Sequence, residues 1–188
     1  MRIISGKHKG RRIELLKDAG GKVRPTSEFA REAIFNILNH MTDEEDEHSV
    51  IGRAVLDICC GTGAFGLEAL SRGAKSATFV DGAREALANA RHNAQRMGET
   101  ATVEFIQSDA SKLPRARKQY SLVFLDPPYF ENLITPTLLS LHNGGWLAKN
   151  ALIVIEHDSK EIVEIPAVFS VTLKRKYGRA TIQLLQAV

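Results

Sequence analysis

Apolar residues in this chain fall into short blocks whose period changes along its length. Phe29, Ala33, Ile34, Ile37, Leu38 and Met41 recur at i, i+4, i+5 and i+8, the spacing of one helical face. Arg24-Pro25-Thr26 stops extension just before them. Thr26 or Ser27 is placed to cap the helix N-terminus, with Glu28 as an acid in its first turn. From residue 50 onward, runs rich in Val, Ile and Phe alternate with helical patterns. They predict strands at Ala54–Ile58, Ala77–Asp81, Val103–Gln107, Leu122–Leu125 and Leu152–Glu156. Helices are predicted at Phe65–Arg72, Ala83–Met97 and Asn132–Asn143. Runs apolar on both faces are what a parallel sheet covered by helices on each side requires. The tail breaks the alternation: Ser170–Lys174 and Arg179–Gln186 are extended and meet at Tyr177-Gly178, with no room for a helix between them. The expected fold is therefore α/β and Rossmann-like, a seven-stranded, mostly parallel sheet ending in an antiparallel hairpin. Ahead of the first helix, Arg2–Ser5 and Arg12–Leu16 read as two short extended segments around a Lys-rich turn at Gly6 and Gly10. This divides the chain into a basic β-hairpin extension, residues 1–25, and a main domain, residues 26–188.

Composition changes the picture little. With 188 residues, 44% hydrophobic and 25% charged, the chain is an ordinary globular one, which excludes disorder as its main state. Runs such as Ala151–Ile155 are too short to cross a bilayer, and residues 1–7 hold no apolar stretch of signal-peptide length. Cys59 and Cys60 are adjacent, which disfavours a structural disulfide between them; a reducing, cytoplasmic setting and a monomer are the expectations. Charge is unevenly placed. Residues 1–24 carry eight basic and two acidic side chains, an excess of six in a chain whose net charge is +3. A basic arm on a near-neutral body suits a polyanion such as nucleic acid. The acid run Asp43–Glu47 reads as a solvated loop. His8, His40, His48, His92, His142 and His157 lack ligand spacing and read as surface or helix-end residues, so no metal is expected.

Two constellations carry chemistry. The first is Asp57-Ile58-Cys59-Cys60-Gly61-Thr62-Gly63-Ala64-Phe65-Gly66, a strand, glycine loop and helix. Gly61 and Gly63 let the backbone turn tightly against a ligand, and Gly66 allows close helix–strand packing. Asp81 ends the next strand, 20 residues after Gly61, where a carboxylate can accept hydrogen bonds from both ribose hydroxyls. Asp109 ends the third. The glycines also fit a dinucleotide loop. However, Asp57 would set a like charge against a pyrophosphate, and the terminal hairpin is foreign to that fold. S-adenosylmethionine, with its ammonium and sulfonium, is the better match than NAD.

The second constellation is Asp126-Pro127-Pro128-Tyr129, directly after the fourth strand. The two prolines remove two N–H donors, so the turn presents carbonyls and a carboxylate. An exocyclic amine is a planar pair of N–H donors. Bonds to Asp126 and to the Pro127 carbonyl would hold it and favour a pyramidal nitrogen with a free lone pair. Tyr129 offers a face on which a flipped-out base can stack.

Asp-Pro-Pro-Tyr at this place resembles the signature of class I amino-methyltransferases. The N-terminal run narrows it: Arg2-Ile3-Ile4-Ser5-Gly6, Lys9-Gly10-Arg11-Arg12, Arg24-Pro25-Thr26 and Arg31-Glu32-Ala33-Ile34-Phe35-Asn36. So do Phe65-Gly66-Leu67-Glu68-Ala69-Leu70-Ser71-Arg72-Gly73-Ala74 and Asn143-Gly144-Gly145-Trp146-Leu147. Over nearly its whole length the chain resembles the RsmD family, bacterial enzymes that methylate N2 of one guanine in small-subunit ribosomal RNA. The adjacent Cys59-Cys60 departs from relatives that carry an aromatic and a small residue there. The resemblance implies S-adenosylmethionine as cofactor and 16S rRNA, the 30S subunit or an assembly intermediate as partner. The expected cofactor residues are Asp57, Cys59, Gly61, Thr62, Gly63, Asp81, Asp109, Ala110 and Asp126, with Asp109 on the adenine amine. Asp126, Pro127, Pro128 and Tyr129 would hold the target guanine. Lys7, Lys9, Arg11, Arg12, Arg24, Thr26, Lys174, Arg175 and Lys176 would contact RNA. Three rival readings are weighed: the same transfer to adenine N6 or to guanine N2 of tRNA, an NAD-dependent oxidoreductase, and a non-catalytic RNA chaperone.

Overall fold

The computed structural model describes residues 1–15, 28–40 and 50–187. The predicted cap at Thr26 or Ser27, the Arg24-Pro25-Thr26 segment, Met41, His48 and the acid run Asp43–Glu47 lie outside the described residues.

The elements follow the expected alternation: α1 (Glu28–His40), β1 (Ala54–Ile58), α2 (Ala64–Ser71), β2 (Ser76–Asp81), α3 (Arg84–Met97) and β3 (Val103–Gln107). After a single 3₁₀ turn at Ala110–Lys112 come β4 (Tyr120–Leu125), α4 (Ile134–Gly144), β5 (Leu147–Asp158), β6 (Phe169–Tyr177) and β7 (Ala180–Ala187). One seven-stranded sheet has the order β3-β2-β1-β4-β5-β7-β6. Strands β1 to β5 pair in parallel, and β7 runs antiparallel between β5 and β6. The chain winds outward from β1 to β3 and then returns to lay β4 on the other side of β1. That reversal opens a crevice at the carboxyl ends of β1 and β4, where open α/β sheets bind ligands.

Two apolar layers hold the sheet. One face carries α1, α2 and α3, with the Phe65 and Phe124 rings stacked 5.0 Å apart and Phe35 5.4 Å from Phe124. The other carries α4 and stacks Tyr120 on Trp146 at 5.9 Å. β5 is longer than the apolar run Leu152–Glu156 suggests. Its polar ends are recruited by backbone pairing, Leu147 with Tyr120 and Asp158 with Ala180. Phe29, expected on the buried face of α1, is 64% exposed; Phe35 is buried instead, so the helix is rolled about its axis relative to the predicted stripe. Two of the histidines expected at the surface are buried. His8 Nε2 lies 2.7 Å from Glu99 Oε1, and His157 Nε2 lies 2.7 Å from Gln183 Nε2. Burial holds His157 below the usual imidazole range.

The N-terminal arm pairs through a single antiparallel bridge, Arg2 with Arg12, rather than through two regular strands. Its polar groups go instead to the helices. Glu68 of α2, fully buried, accepts the Ile4 N–H at 2.8 Å, the Ser5 N–H at 3.0 Å and the Arg72 Nε–H at 2.8 Å. Buried Arg31 Nε lies 3.5 Å away. Asn93 of α3, also fully buried, makes the second anchor. It accepts the Glu14 N–H at 2.9 Å and donates to the Glu14 and Thr62 carbonyls at 2.9 and 3.1 Å. It thereby ties the arm to the glycine loop. Asn93→Ala should cost about 2–3 kcal/mol, since buried backbone groups lose their partner. Urea denaturation reads this directly, and an unmoved midpoint would mean that the loop stands without the bond.

Candidate active site

Three backbone positions in the loop after β1 have positive φ: Cys59 at 57°, Gly61 at 52° and Gly63 at 79°. The glycines adopt this region without strain. At Gly66 the requirement is space. A Cβ there would stand 2.4 Å from the Phe79 ring and 3.3 Å from Asp57 Oδ2. Its absence lets α2 close on β2 and brings the Gly66 N–H within 2.9 Å of that carboxylate oxygen.

Asp57 is buried, and its carboxyl is pushed well above the ordinary range. Burial is the main cause, with the negative charges of Asp126 and Asp81 adding to it and the Gly66 bond opposing it. Asp81 splits its two oxygens, Oδ2 accepting the Gly61 N–H at 3.0 Å and Oδ1 the Ala83 N–H at 2.9 Å. It therefore fixes the glycine loop against the start of α3. Asp109 caps the 3₁₀ turn. The Ser111 hydroxyl and N–H both donate to its Oδ1, at 2.7 and 2.8 Å, and hold its carboxyl below the usual value. Ala110 beside it is buried.

At the end of β4 the Asp126 N–H extends the ladder to the Ile58 carbonyl at 3.5 Å, which sets Asp126 beside Cys59. Asp126 is half-buried, Pro127 buried, Pro128 exposed and Tyr129 half-buried. Cys59 reports how closely the acids gather. Burial first, and then the charges of Asp81, Asp126, Asp57 and Asp109, push its thiol far above the usual range. Four acids at or just beyond four neighbouring strand ends thus bear on one loop residue. Both cysteines are free, and Cys60 is raised in the same way by burial. A thiol so disfavoured as thiolate is a poor nucleophile.

Comparison with known proteins bears on the family and the fold. Residues 1–186 match the family described as conserved hypothetical protein 95. The chain is 31% identical over 188 residues to ribosomal RNA small subunit methyltransferase D of Escherichia coli, covering 99% of this chain and 89% of that one. The protein of the same name from Haemophilus influenzae is 30% identical over 190 residues, covering 99% and 93%. The solved structure of Escherichia coli yhhF superposes on all of this chain and 97% of its own with a TM-score of 0.80 at 29% identity. The chain belongs to the RsmD family. Its seven-stranded sheet with the terminal hairpin is the class I methyltransferase fold.

The crevice of this RsmD-family chain also holds residues that the sequence reading passed over. Tyr129 Oη donates to Glu156 Oε1 at 3.1 Å, and the Arg179 guanidinium stands 5.8 Å from the Tyr129 ring centre while paired with Asp158. In the sequence Glu156 only ends an apolar run. Its place at the carboxyl end of the strand next to β4, equivalent to that of Asp81 on β2, was the available signal. Arg179 follows the hairpin turn, and nothing in the local pattern marks it.

The basic residues separate into two groups. Lys7 Nζ lies 2.6 Å from Glu99, and Arg11 donates to the Arg96 carbonyl at 2.9 Å. The Lys7 N–H reaches the carbonyl of Ser71. Ser71 closes α2, and Arg96 and Glu99 stand at the end of α3. The arm's turn therefore sits at the amino edge of the sheet, opposite the crevice. Lys9 and Arg12 are exposed. Lys174, Arg175 and Lys176 are exposed on β6, whose C-terminal end lies on the crevice side. Arg24 and Thr26 lie outside the described residues. No helix of the described residues is long and apolar enough to cross a membrane, and they contain no group of three or more His, Cys, Asp or Glu able to hold a metal.

Proposed function

We propose that this RsmD-family chain transfers a methyl group from S-adenosylmethionine to the exocyclic N2 amine of a guanine in small-subunit (16S) ribosomal RNA, acting on the 30S subunit or an assembly intermediate. The placement of Asp57, Asp81, Asp109 and Asp126 at or just beyond the carboxyl ends of β1 to β4, around the crevice, carries the reading. Such a cluster suits a ligand that brings positive charge and hydrogen-bond donors. Asp57, Cys59, Gly61, Thr62 and Gly63 would line its methionine end, Asp81 its ribose, and Asp109 with Ala110 its adenine. Residues 26–188 would form the catalytic unit and residues 1–25 an RNA-facing extension.

When bound, S-adenosylmethionine supplies a methyl group on a sulfonium, which leaves without further activation. The protein's share is to position and to manage a proton. Asp126 and the Pro127 carbonyl accept the two amine N–H groups, and the rigid Pro127-Pro128 turn holds them in place. Tyr129, oriented by Glu156, flanks the base. As nitrogen gains its new bond it becomes cationic, and Asp126 takes the proton. Orientation of the two reactants supplies about 7–11 kcal/mol of the barrier.

The deciding experiment is labelled-methyl transfer onto 30S subunits from a strain lacking the enzyme, followed by nucleoside analysis. N2-methylguanosine is expected; label in N6-methyladenosine, or none, overturns the proposal. Two further outcomes are expected. Burial raises the Asp57 carboxyl, and a cationic ligand beside it should lower it again and draw off a proton where it is still protonated. Cofactor affinity should then rise with pH through its titration, and calorimetry in buffers of different ionisation enthalpy should detect the released proton. Affinity independent of pH would remove Asp57 from the cofactor site. Replacing Lys174, Arg175 and Lys176 together with Ala should flatten the log–log salt dependence of RNA binding by a slope of about 2, at roughly 0.7–0.9 per phosphate. An unchanged slope would count against the hairpin.

A further inference from the structure

Outside the crevice, a groove of about 380 Å³ lies between α1 and β6. Phe29, Glu32, Asn36 and His40 form an exposed stripe along α1 that faces Arg175 and Tyr177 of β6. Residues 29, 32, 36 and 40 share one helical face, while Arg175 and Tyr177 share one face of the strand, with Lys174 and Lys176 on the other. The Phe29 and Tyr177 rings meet edge to face, 6.0 Å between centres. Strand β6 runs in the same direction as β5, so Tyr177 ends it on the crevice side of the sheet. The groove therefore ends on the same side of the sheet as the proposed target pocket, three strands from β4, and shares none of its residues.

We infer that this groove holds a nucleotide of the RNA strand that flanks the flipped-out guanine, stacked on Phe29 with Tyr177 at its edge and its phosphate near Arg175. The inference rests on the proposed rRNA substrate and adds to it a second subsite. The volume is of the size that binds small ligands. Every base has a face that an aromatic ring can stack on, and the strand lining the groove is basic, as a phosphate backbone demands. Glu32 and Asn36 supply groups that a base edge can bond. A base pulled from its stack leaves its neighbours without a partner on one side. A second aromatic platform on the same side of the sheet offsets that loss.

The test uses the full chain and 30S subunits from a strain lacking the enzyme. Phe29→Ala and Arg175→Ala should each raise KM for the subunit about tenfold. The dissociation constant of S-adenosylmethionine should stay unchanged, and Phe29→Trp should restore KM. Phe29→benzoylphenylalanine, irradiated with subunits, should crosslink to RNA near the target. A KM unaltered in both alanine variants, or a crosslink to a ribosomal protein, overturns the groove as an RNA subsite. Absence of transfer by the unsubstituted protein would instead overturn the underlying function, so the two failures are distinguishable.

Discussion

Asp126→Ala is expected to keep S-adenosylmethionine bound within a few-fold of normal and to lose methyl transfer by about 10²–10⁴-fold, the usual contribution of a positioned proton acceptor. The change removes the only carboxylate of the Asp126–Tyr129 turn. The glycine loop retains its own supports: Asp81 on the Gly61 N–H, Asp57 on the Gly66 N–H and Asn93 on the Thr62 carbonyl. The damage should therefore fall on the chemical step. Asp126→Asn keeps one carbonyl acceptor but cannot take the proton, so it should fall between the two. Single-turnover transfer of labelled methyl and calorimetric titration of the cofactor separate the effects. Near-normal turnover in the alanine variant would remove Asp126 from the mechanism.

Glu68→Ala should produce the largest loss of stability, about 3–5 kcal/mol, because it leaves a buried charge without its counter-charge. Arg31, fully buried, has Glu68 as its nearest acid. Burial lowers the Arg31 pKa, and the Glu68 charge is the largest influence raising it. The same substitution frees the Ile4 and Ser5 N–H groups, so the arm should detach along with the loss. For a chain of this size the melting temperature should fall by roughly 10 °C. Adding Arg31→Met should recover part of it, since an apolar replacement of a buried pair is often tolerated. A Glu68→Ala protein melting like the unsubstituted one would show that Arg31 is neutralised elsewhere.

Much of this architecture could be read from the chain. The strands β1 to β4 and helices α2 to α4 were placed within about two residues, because each is a short apolar block bounded by Gly, Pro or charge. What escaped depended on pairing across the sheet. The polar ends of β5 carry no strand signal: Leu147 pairs with Tyr120 of β4, Lys149-Asn150 lie in the irregularity that follows, and His157-Asp158 are drafted by β7. The roll of α1 was equally hidden, since Phe29 and Phe35 look alike to a periodicity count and only the Phe65–Phe124 stack selects one of them. In the candidate site, Asp57, Asp81, Asp109 and Asp126 were legible as acids that follow apolar strands. Glu156 obeys the same rule one strand further out, but it was absorbed into the strand. The basic arm shows a different limit. Charge counting finds Lys7 and Arg11 but not Glu99 or the carbonyl of Arg96, more than 80 residues away in sequence, which hold them at the far edge.

The position of β7 has a consequence for how the molecule comes into being. It is the last strand in the sequence yet an interior one in the sheet, flanked by β5 and β6. While the nascent chain is still being made, β5 has one neighbour and β6 has none. β6 therefore cannot join the sheet until residues 180–187 are made, and a stop before residue 180 would leave it detached rather than trim an edge.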